Sequence, residues 1–304
     1  MLNLHELNVF VEAALVENFS VAAQHLGLSQ PAVSLQIRNL ERQHGVDLFR
    51  RNGRNVTLSD AGRTLLPLAQ ELLHQAKHIE AVMSGLEGLV VGELCVACGT
   101  TAGKYVLPQL IARYRQQCPD VQVTITMLCR RSAADWVVEG RADIALMSAE
   151  VMHRDLETRA ILEDDVVLIV PAGHPWSSGP DVGARDLLGL PLILREPTSN
   201  TYATLAQALA QHGLSSSDLK VAMVLSDVDA ITMSVEAGIG GAFVPRLAAA
   251  RALKLGCVAE VAVNDLALKQ TIYVARHRRR CATAPQQAFW SFACDPEIHL
   301  LQLA

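Results

Sequence analysis

No stretch of the 304-residue sequence approaches the roughly 20 consecutive apolar residues that a bilayer-crossing helix needs. The first residues lack a basic leader ahead of an apolar core. Met1 to Asn18 instead has the spacing of an amphipathic helix, so no secretory signal is expected. These absences predict a cytoplasmic chain with no membrane partner. Catalytic signatures are missing as well: there is no G-x-S-x-G, no P-loop and no H-E-x-x-H. Asp227 and Asp229 are the nearest approach to a paired carboxylate, and capping of a helix start accounts for them. The seven cysteines are an odd, scattered set, as expected of reduced thiols. Cys95 and Cys98 form a C-x-x-C, but inside the apolar strand pattern ELCVACGT and with no second pair at zinc spacing. His74 and His78 have nothing nearby to complete a metal site. Neither an enzyme nor a cofactor is expected.

Basic charge is absent from residues 1–37, which carry Glu6, Glu12 and Glu17 and no Lys or Arg. Residues 38–63 then carry Arg38, Arg42, Arg50, Arg51, Arg54 and Arg63 against Glu41, Asp47 and Asp60. The net charge of −5 therefore hides a local basic excess.

That excess begins inside NFSVAAQHLGLSQPAVSLQIRNLE, which opens at Asn18. Leu7, Phe10, Val11 and Ala14 give a first helix its apolar face. Ser20 is suited to cap a second helix and Gly27 to end it. Ser29 is suited to cap a third, with Pro31 in its first turn. On the third helix Val33, Ile37 and Leu40 point one way, while Pro31, Ser34, Leu35, Arg38 and Arg42 fall on the other side. Two helices joined by a tight glycine turn make a helix-turn-helix, whose second helix can enter a DNA major groove. Gln30 and Ser34 can bond base edges, Leu35 can meet a thymine methyl, and Arg38 and Arg42 suit phosphates. DLFRRNGRNVTL adds a hairpin with Asn52-Gly53 as its turn and Arg50, Arg51 and Arg54 around it, the wing of a winged helix.

The stretches FSVAAQHLGLSQPAVSLQIRNLE, GVDLFRR and VTLSDAGRTLL together resemble a LysR-type transcriptional regulator from Leu4 to Leu66. The resemblance implies promoter DNA as partner and base-reading positions at Gln30, Pro31, Ser34 and Gln36. With the helix-start Ser29, Leu35, Arg38, Arg42 and the wing residues Arg50, Arg51, Asn52 and Arg54, these form the expected DNA-facing set. Leu35 departs from the polar or basic residue common at this position.

From Ser59 one long helix is predicted. Leu65, Ala69, Leu72, Ala76, Ile79, Met83 and Leu86 form an unbroken heptad seam, which asks for a second helix. The same helix of a second chain supplies it, giving a homodimer with two reading heads. The family usually goes on to homotetramers. Pro67 should kink or loosen the helix.

Three glycines in GLEGLVVGEL mark a hinge. Beyond it strands read at Glu93–Cys98, Val121–Leu128, Ile144–Met147, Val166–Val170, Leu192–Leu194, Val221–Leu225, Gly241–Val244 and Thr271–Ala275. Helices fall between them, as at Tyr105–Gln117, Tyr202–His212 and Val228–Glu236, which predicts an α/β domain with mainly parallel strands. GIGGAFVP reads as a tight helix–strand turn and ARHRRR as a solvated charge run. CGTTAGKY and LREPTSNTY are hydroxyl-rich helix starts suited to an anion, offering Thr100, Thr101, Thr198, Ser199 and Thr201. LCRRSAADW adds Arg131 and Ser132, and Ser148 ends the strand DIALMS.

YVLPQLIARY, DIALM, HPW, LREPTSNT and VEAGIGGAFVP resemble the effector domain of the same family. That implies two Rossmann-like subdomains, as in type II periplasmic binding proteins, with crossovers near Val166–Pro171 and Thr271–Arg276. A small-molecule co-inducer is then expected between them, at Thr100, Thr101, Ser132, Thr198 and Thr201. The arginines before Ser132 point to an anionic metabolite. TTAGKYVLP and SNT look most like branches regulating carbon fixation or sulfur metabolism. The expected organisation is a winged helix-turn-helix domain (1–58), a linker dimerisation helix (59–88) and an effector-binding domain (89–304). Within the last, subdomain I covers about 92–165 and 272–304, and subdomain II about 166–271.

Overall fold

The structure is a computed structural model that describes residues 2–52, 55–85, 89–128, 130–178 and 182–296. At 51, 52, 55, 84, 85, 130 and 131 the backbone alone is described. The chain divides into two compact units, Met1–Leu89 with Glu139–Arg141, and Val90–Val138 with Ala142–Ala304.

In the first unit, helix ends are set by side-chain caps. Asn3 opens α1 (Leu4–Val16), its Oδ1 accepting from the His5 amide at 2.9 Å. Asn18, not the expected Ser20, caps α2 (Phe19–Leu26), accepting from the Ser20 and Val21 amides at 2.9 and 3.2 Å. A cap residue must be extended, as Asn18 is at φ −150° and ψ 110°, whereas Ser20 is already in the first turn. Gly27 ends α2 at φ 64°, a conformation that suits a residue without Cβ. Ser29 caps α3 (Gln30–His44), accepting from the Ala32 amide at 3.3 Å, with Pro31 in the first turn.

Leu7, Phe10, Ala22, Val33, Ile37 and Leu40 are fully buried together, and the Phe49 ring meets Phe10 and Phe19 edge-on. Burying each large aliphatic chain contributes about 1.5–3 kcal/mol, enough to fix α3 against α1 and α2. Glu41 extends this order into the wing, its Oε1 accepting from the Leu48 and Phe49 amides at 2.9 and 3.3 Å. Strands β1 (Phe49–Asn52) and β2 (Asn55–Leu58) pair antiparallel, Phe49 opposite Leu58 and Asn52 opposite Asn55. Asn52 is thus the last residue of a strand rather than a turn residue. The expected turn glycine Gly53, and Arg54, lie outside the described residues.

Ser59 starts α4 (Asp60–Gly85), its Oγ accepting from the Gly62 amide at 3.0 Å. The helix runs unbroken across Pro67. Its heptad seam divides in a way the spacing alone did not show. Ala69 is buried and Leu65 packs against the core of its own unit. Leu72, Ile79 and Met83 are exposed, the last two at 64% and 61%. Leu86, the last expected seam residue, lies outside the described residues.

The second unit carries, in order, β3 (Gly92–Cys98), α5 (Leu107–Gln117), β4 (Val121–Met127), α6 (Arg130–Glu139), β5 (Ile144–Met147), β6 (Leu156–Pro171) and β7 (Leu192–Arg195). It continues with α7 (Asn200–Gln211), β8 (Val221–Leu225), α8 (Val228–Glu236), β9 (Gly241–Pro245), α9 (Arg246–Lys254), β10 (Val258–Val261), β11 (Lys269–His277) and α10 (Ala284–Ala293). A π-turn, Ala102–Val106, leads into α5. The strands form one sheet in the order β4-β3-β5-β11-β6-β9-β7-β8, with β10 also on β6.

The sheet is mixed rather than mainly parallel. Pairs β3–β4, β3–β5, β7–β8 and β7–β9 are parallel, as βαβ units require. Every pairing made by β6 or β11 is antiparallel, because these two strands carry the chain back between half-sheets. They pair from Leu156 opposite His277 to Asp165 opposite Lys269, so the β6 crossover begins ten residues before its expected start at Val166.

Period-two alternation decides which core each side chain joins. Leu94, Val96 and Cys98 face a core with Leu107, Tyr114 and Phe289, while Ala97 faces Ala133 and Val137 of α6. In the other half, Val166, Leu168 and Val170 face Leu205 and Leu209, while Val167 and Ile169 face Ile231, Val235 and Ala249. Each half-sheet is thus covered by helices on both faces. Cys98 is buried, which pushes its thiol up to about 11 and makes it a poor nucleophile.

Candidate functional site

Burying Val33, Ile37 and Leu40 turns the opposite side of α3 outward. Gln30, Pro31, Arg38 and Arg42 are exposed, Leu35 is 51% exposed, and Gln36 is half-buried. Ser34 departs from the expected outward set: it is only 7% exposed. It lies at the seam between the two faces, one helical turn after Gln30 and one before Arg38. Its Oγ accepts from Gln30 Nε2 at 2.8 Å, and its carbonyl accepts from Arg38 Nε at 3.1 Å.

In the wing, Arg50 is held at the base. Its Nη2 lies 2.6 Å from Asp60 Oδ2, and Arg63 binds the other oxygen of Asp60. The Arg63 bond and then the Arg50 charge hold the Asp60 carboxyl below its usual range. Part of the basic charge expected for DNA is therefore spent locally. The side chains of Arg51 and Asn52 lie outside the described residues, as does Arg54.

In the second unit a cavity of about 790 Å³ opens at the carboxyl ends of the parallel strands. Thr100, Thr101, Ser148, Thr198, Ser199 and Thr201 line it, six of the expected effector residues brought together from both halves. Ser132 does not line it: β4 reaches the cavity through Leu128, and Ser132 is already inside α6. The Arg131 side chain lies outside the described residues. Ser199 is committed to capping α7, accepting from the Tyr202 amide at 3.1 Å. Thr101 precedes the π-turn without a side-chain capping bond.

Sequence reasoning missed Arg195, Glu196 and Ser226 and took Asp227 only as a cap; all four line the cavity, together with Asn200 of the LREPTSNTY helix start. Arg195 ends β7 and is nearly buried, with Nε and Nη2 each 3.0 Å from the Glu196 carboxylate. A charged residue closing an apolar strand just before a hydroxyl-rich turn was the available signal. Among the described lining residues the charges are thus one cation and two carboxylates, a balance less basic than the arginine run had suggested.

Contacts across the cleft join the two halves. Asn200 Nδ2 donates to the Ser148 carbonyl at 2.8 Å. Lys104 Nζ lies 2.7 Å from Asp227 Oδ2 and 2.5 Å from Asp229 Oδ2, and the Tyr105 hydroxyl bonds Asp229 Oδ1. The Asp227 bond, then the Asp229 bond, raises the Lys104 pKa, and Lys104 in turn lowers that of Asp227. Asp227 also caps α8, as expected, accepting from the Ala230 amide at 3.0 Å.

The ARHRRR run is solvated only in part: Arg278 and Arg279 are exposed, while Arg276 and Arg280 are half-buried. Arg276 lies over the Trp290 ring at 4.3 Å and bonds Glu157 at 2.9 Å. Arg278 bonds the Leu156 carbonyl, and Arg280 the Val137 and Val138 carbonyls near the end of α6.

A winged helix-turn-helix followed by a cleft between two α/β halves is the organisation of a ligand-responsive regulator. Two family models match the chain: a bacterial regulatory helix-turn-helix protein of the lysR family over residues 4–63, and a LysR substrate binding domain over residues 87–295. The chain belongs to the LysR family of transcriptional regulators, which are not enzymes. The probable RuBisCO transcriptional regulator of Porphyra purpurea is 32% identical over 289 residues, covering 94% of this chain and 91% of that protein. Its namesake in Synechocystis is 32% identical over 307 residues, covering 97% and 89%. Among solved structures, full-length CbnR complexed with its target DNA matches with a TM-score of 0.74 at 22% identity, covering 96% of this chain and 99% of that one. A probable transcriptional regulator from Pseudomonas aeruginosa matches with a TM-score of 0.73 at 20% identity, covering 96% of both chains.

Proposed function

We propose that this chain binds promoter DNA sequence-specifically in the cytoplasm, as a homodimer paired along α4 that assembles further into a homotetramer. Each copy lays α3 in a major groove and its wing on the adjacent backbone. A small anionic metabolite in the 790 Å³ cavity changes the arrangement of the assembly, and so the fit of its reading heads. The observation that carries this reading is the outward ridge of Gln30, Leu35, Arg38 and Arg42 on an α3 pinned by Val33, Ile37 and Leu40.

The exposed seam residues Leu72, Ile79 and Met83 support pairing along α4. The names of the relatives support a target in carbon fixation over sulfur metabolism. CbnR, alike in fold, binds a target DNA. Helix starts at the cavity, bearing Thr100, Thr101, Thr198 and Thr201, support an anionic ligand.

A competition mobility-shift assay at physiological salt tests the DNA half. The preferred duplex should withstand a large excess of unrelated DNA; binding that all duplexes compete equally would refute it. A thermal-shift screen of the full-length chain against carboxylates, phosphates and sulfur anions tests the other half. A hit should vanish in Thr100→Ala, and a hit that survives places the ligand elsewhere.

A further inference from the structure

We propose that Ser34 is a positioning residue, which reads no base itself but fixes the Gln30 amide for reading. The inference rests on the reading that α3 enters a major groove. Ser34 presents almost no surface to a partner, being 7% exposed, while Gln30 is exposed. Its hydroxyl is already engaged, 2.8 Å from Gln30 Nε2. The two are four residues apart, the spacing at which side chains on a helix meet.

This bond uses one of the two Nε2 hydrogens of Gln30. It leaves Oε1 and the other hydrogen, an adjacent acceptor and donor that match N6 and N7 of adenine. A free glutamine side chain must lose rotamer freedom to make that bidentate contact. One already tethered through its amide has less to lose. Serine is also a weaker helix former than alanine, so its place mid-helix calls for a use.

The second bond at this residue separates specificity from affinity. Arg38 Nε donates to the Ser34 carbonyl, at 3.1 Å, and that bond does not depend on the side chain. Removing the hydroxyl should therefore leave the guanidinium, and its phosphate contact, where it is.

The experiment uses the full-length protein and a randomised duplex pool. Selection on the wild type defines a preferred site, and single-base variants of it are then competed against Gln30→Ala, Ser34→Ala, Ser34→Thr and the double alanine variant. Gln30→Ala should lose about tenfold or more of discrimination at one base pair of each half-site. Ser34→Ala should lose about threefold to tenfold at that same base pair, with unchanged salt dependence of binding. It should add nothing in the Gln30→Ala background, and Ser34→Thr should restore discrimination. An effect of Ser34→Ala at a different base pair, an additive effect in the double variant, or no effect at all overturns the proposal. A wild type that selects no preferred site refutes the DNA-reading proposal itself, and this inference with it.

Discussion

Replacing Asp164 with Asn should stabilise the protein above about pH 6 and remove the loss of stability that this group brings as pH rises. Asp164 lies on β6, directly opposite Gln270 of β11, where both strands cross between the half-sheets. It is 6% exposed, yet no cation among the described residues bonds it: Oδ2 accepts from Gln270 Nε2 at 3.2 Å and Oδ1 from the Leu247 amide at 3.3 Å. Burial outweighs these bonds and pushes the carboxyl from its ordinary 3.8 up to about 6. Keeping it ionised in the folded state thus costs about 3 kcal/mol. The sign follows from the raised value. Below 3.8 both folded and unfolded chains carry the proton; between 3.8 and about 6 the folded chain binds it more tightly. Stability from this group is therefore lost as pH rises through that window, and stays lost above it. Asn is neutral throughout and keeps an acceptor for the Leu247 amide; its NH2 replaces Oδ2 against Gln270 Nε2, so Gln270 must turn its side-chain amide to present Oε1, a buried atom with no partner among the described residues. Thermal melting of wild type and Asp164→Asn from about pH 5 to about pH 8 checks this. The variant should gain on the wild type as pH rises, by several degrees at the top of the range. A difference that stays flat, or a variant that melts lower at about pH 7.5, would refute the reasoning.

Three further outcomes follow from local geometry. A Cβ at Gly62 would lie 2.2 Å from the Leu48 carbonyl oxygen, so Gly62→Ala should lose about 1–3 kcal/mol despite alanine's helix preference, seen as an earlier melt by circular dichroism. An equally stable variant would show that α4 can shift away from the Leu48 turn. Asn18→Ala should cost about 1 kcal/mol and Ser20→Ala far less, and the reverse order in the same melts would return the cap to Ser20. Lys104→Met should loosen the cleft, each lost half-exposed ion pair contributing about 0.2–1 kcal/mol, with faster hydrogen exchange at Gly99–Thr101 and the first turn of α7. The raised Lys104 contributes fully below 10.5 and the lowered Asp227 above 3.8, so the melting difference should match at about pH 6 and about pH 9. A difference that changes between them would mean another group carries the contact.

What was legible in the sequence had local causes. Gly27, Ser29 and Pro31 mark their own helix ends, and the apolar spacing of Val33, Ile37 and Leu40 fixes which side of α3 is buried. The strands Ile144–Met147 and Val221–Leu225 ended where turn residues and helix patterns bound them. The first part of β6 stayed hidden because LETRAILEDD intersperses the core residues Leu156 and Ile161 with charged ones, and so offers no continuous apolar run. Ser34 was placed outward because a helical wheel gives direction but not the cover supplied by Gln30 and Arg38. Lys104 meets Asp227 and Asp229 more than 120 positions away, and no periodicity announces such a pair. Asp227 was legible as a cap through its own helix, but its partner was not.

The central claim is that two copies of α3 enter major grooves of one duplex. Methylation protection of guanine N7 on a selected duplex bound by the full-length protein measures it most directly, because N7 lies in the major groove. The account predicts two protected patches related by a dyad, their centres separated by a whole number of helical turns, and both lost in a variant lacking Arg38 and Arg42. Protection confined to a single patch, or a dyad footprint that survives loss of both arginines, would contradict it.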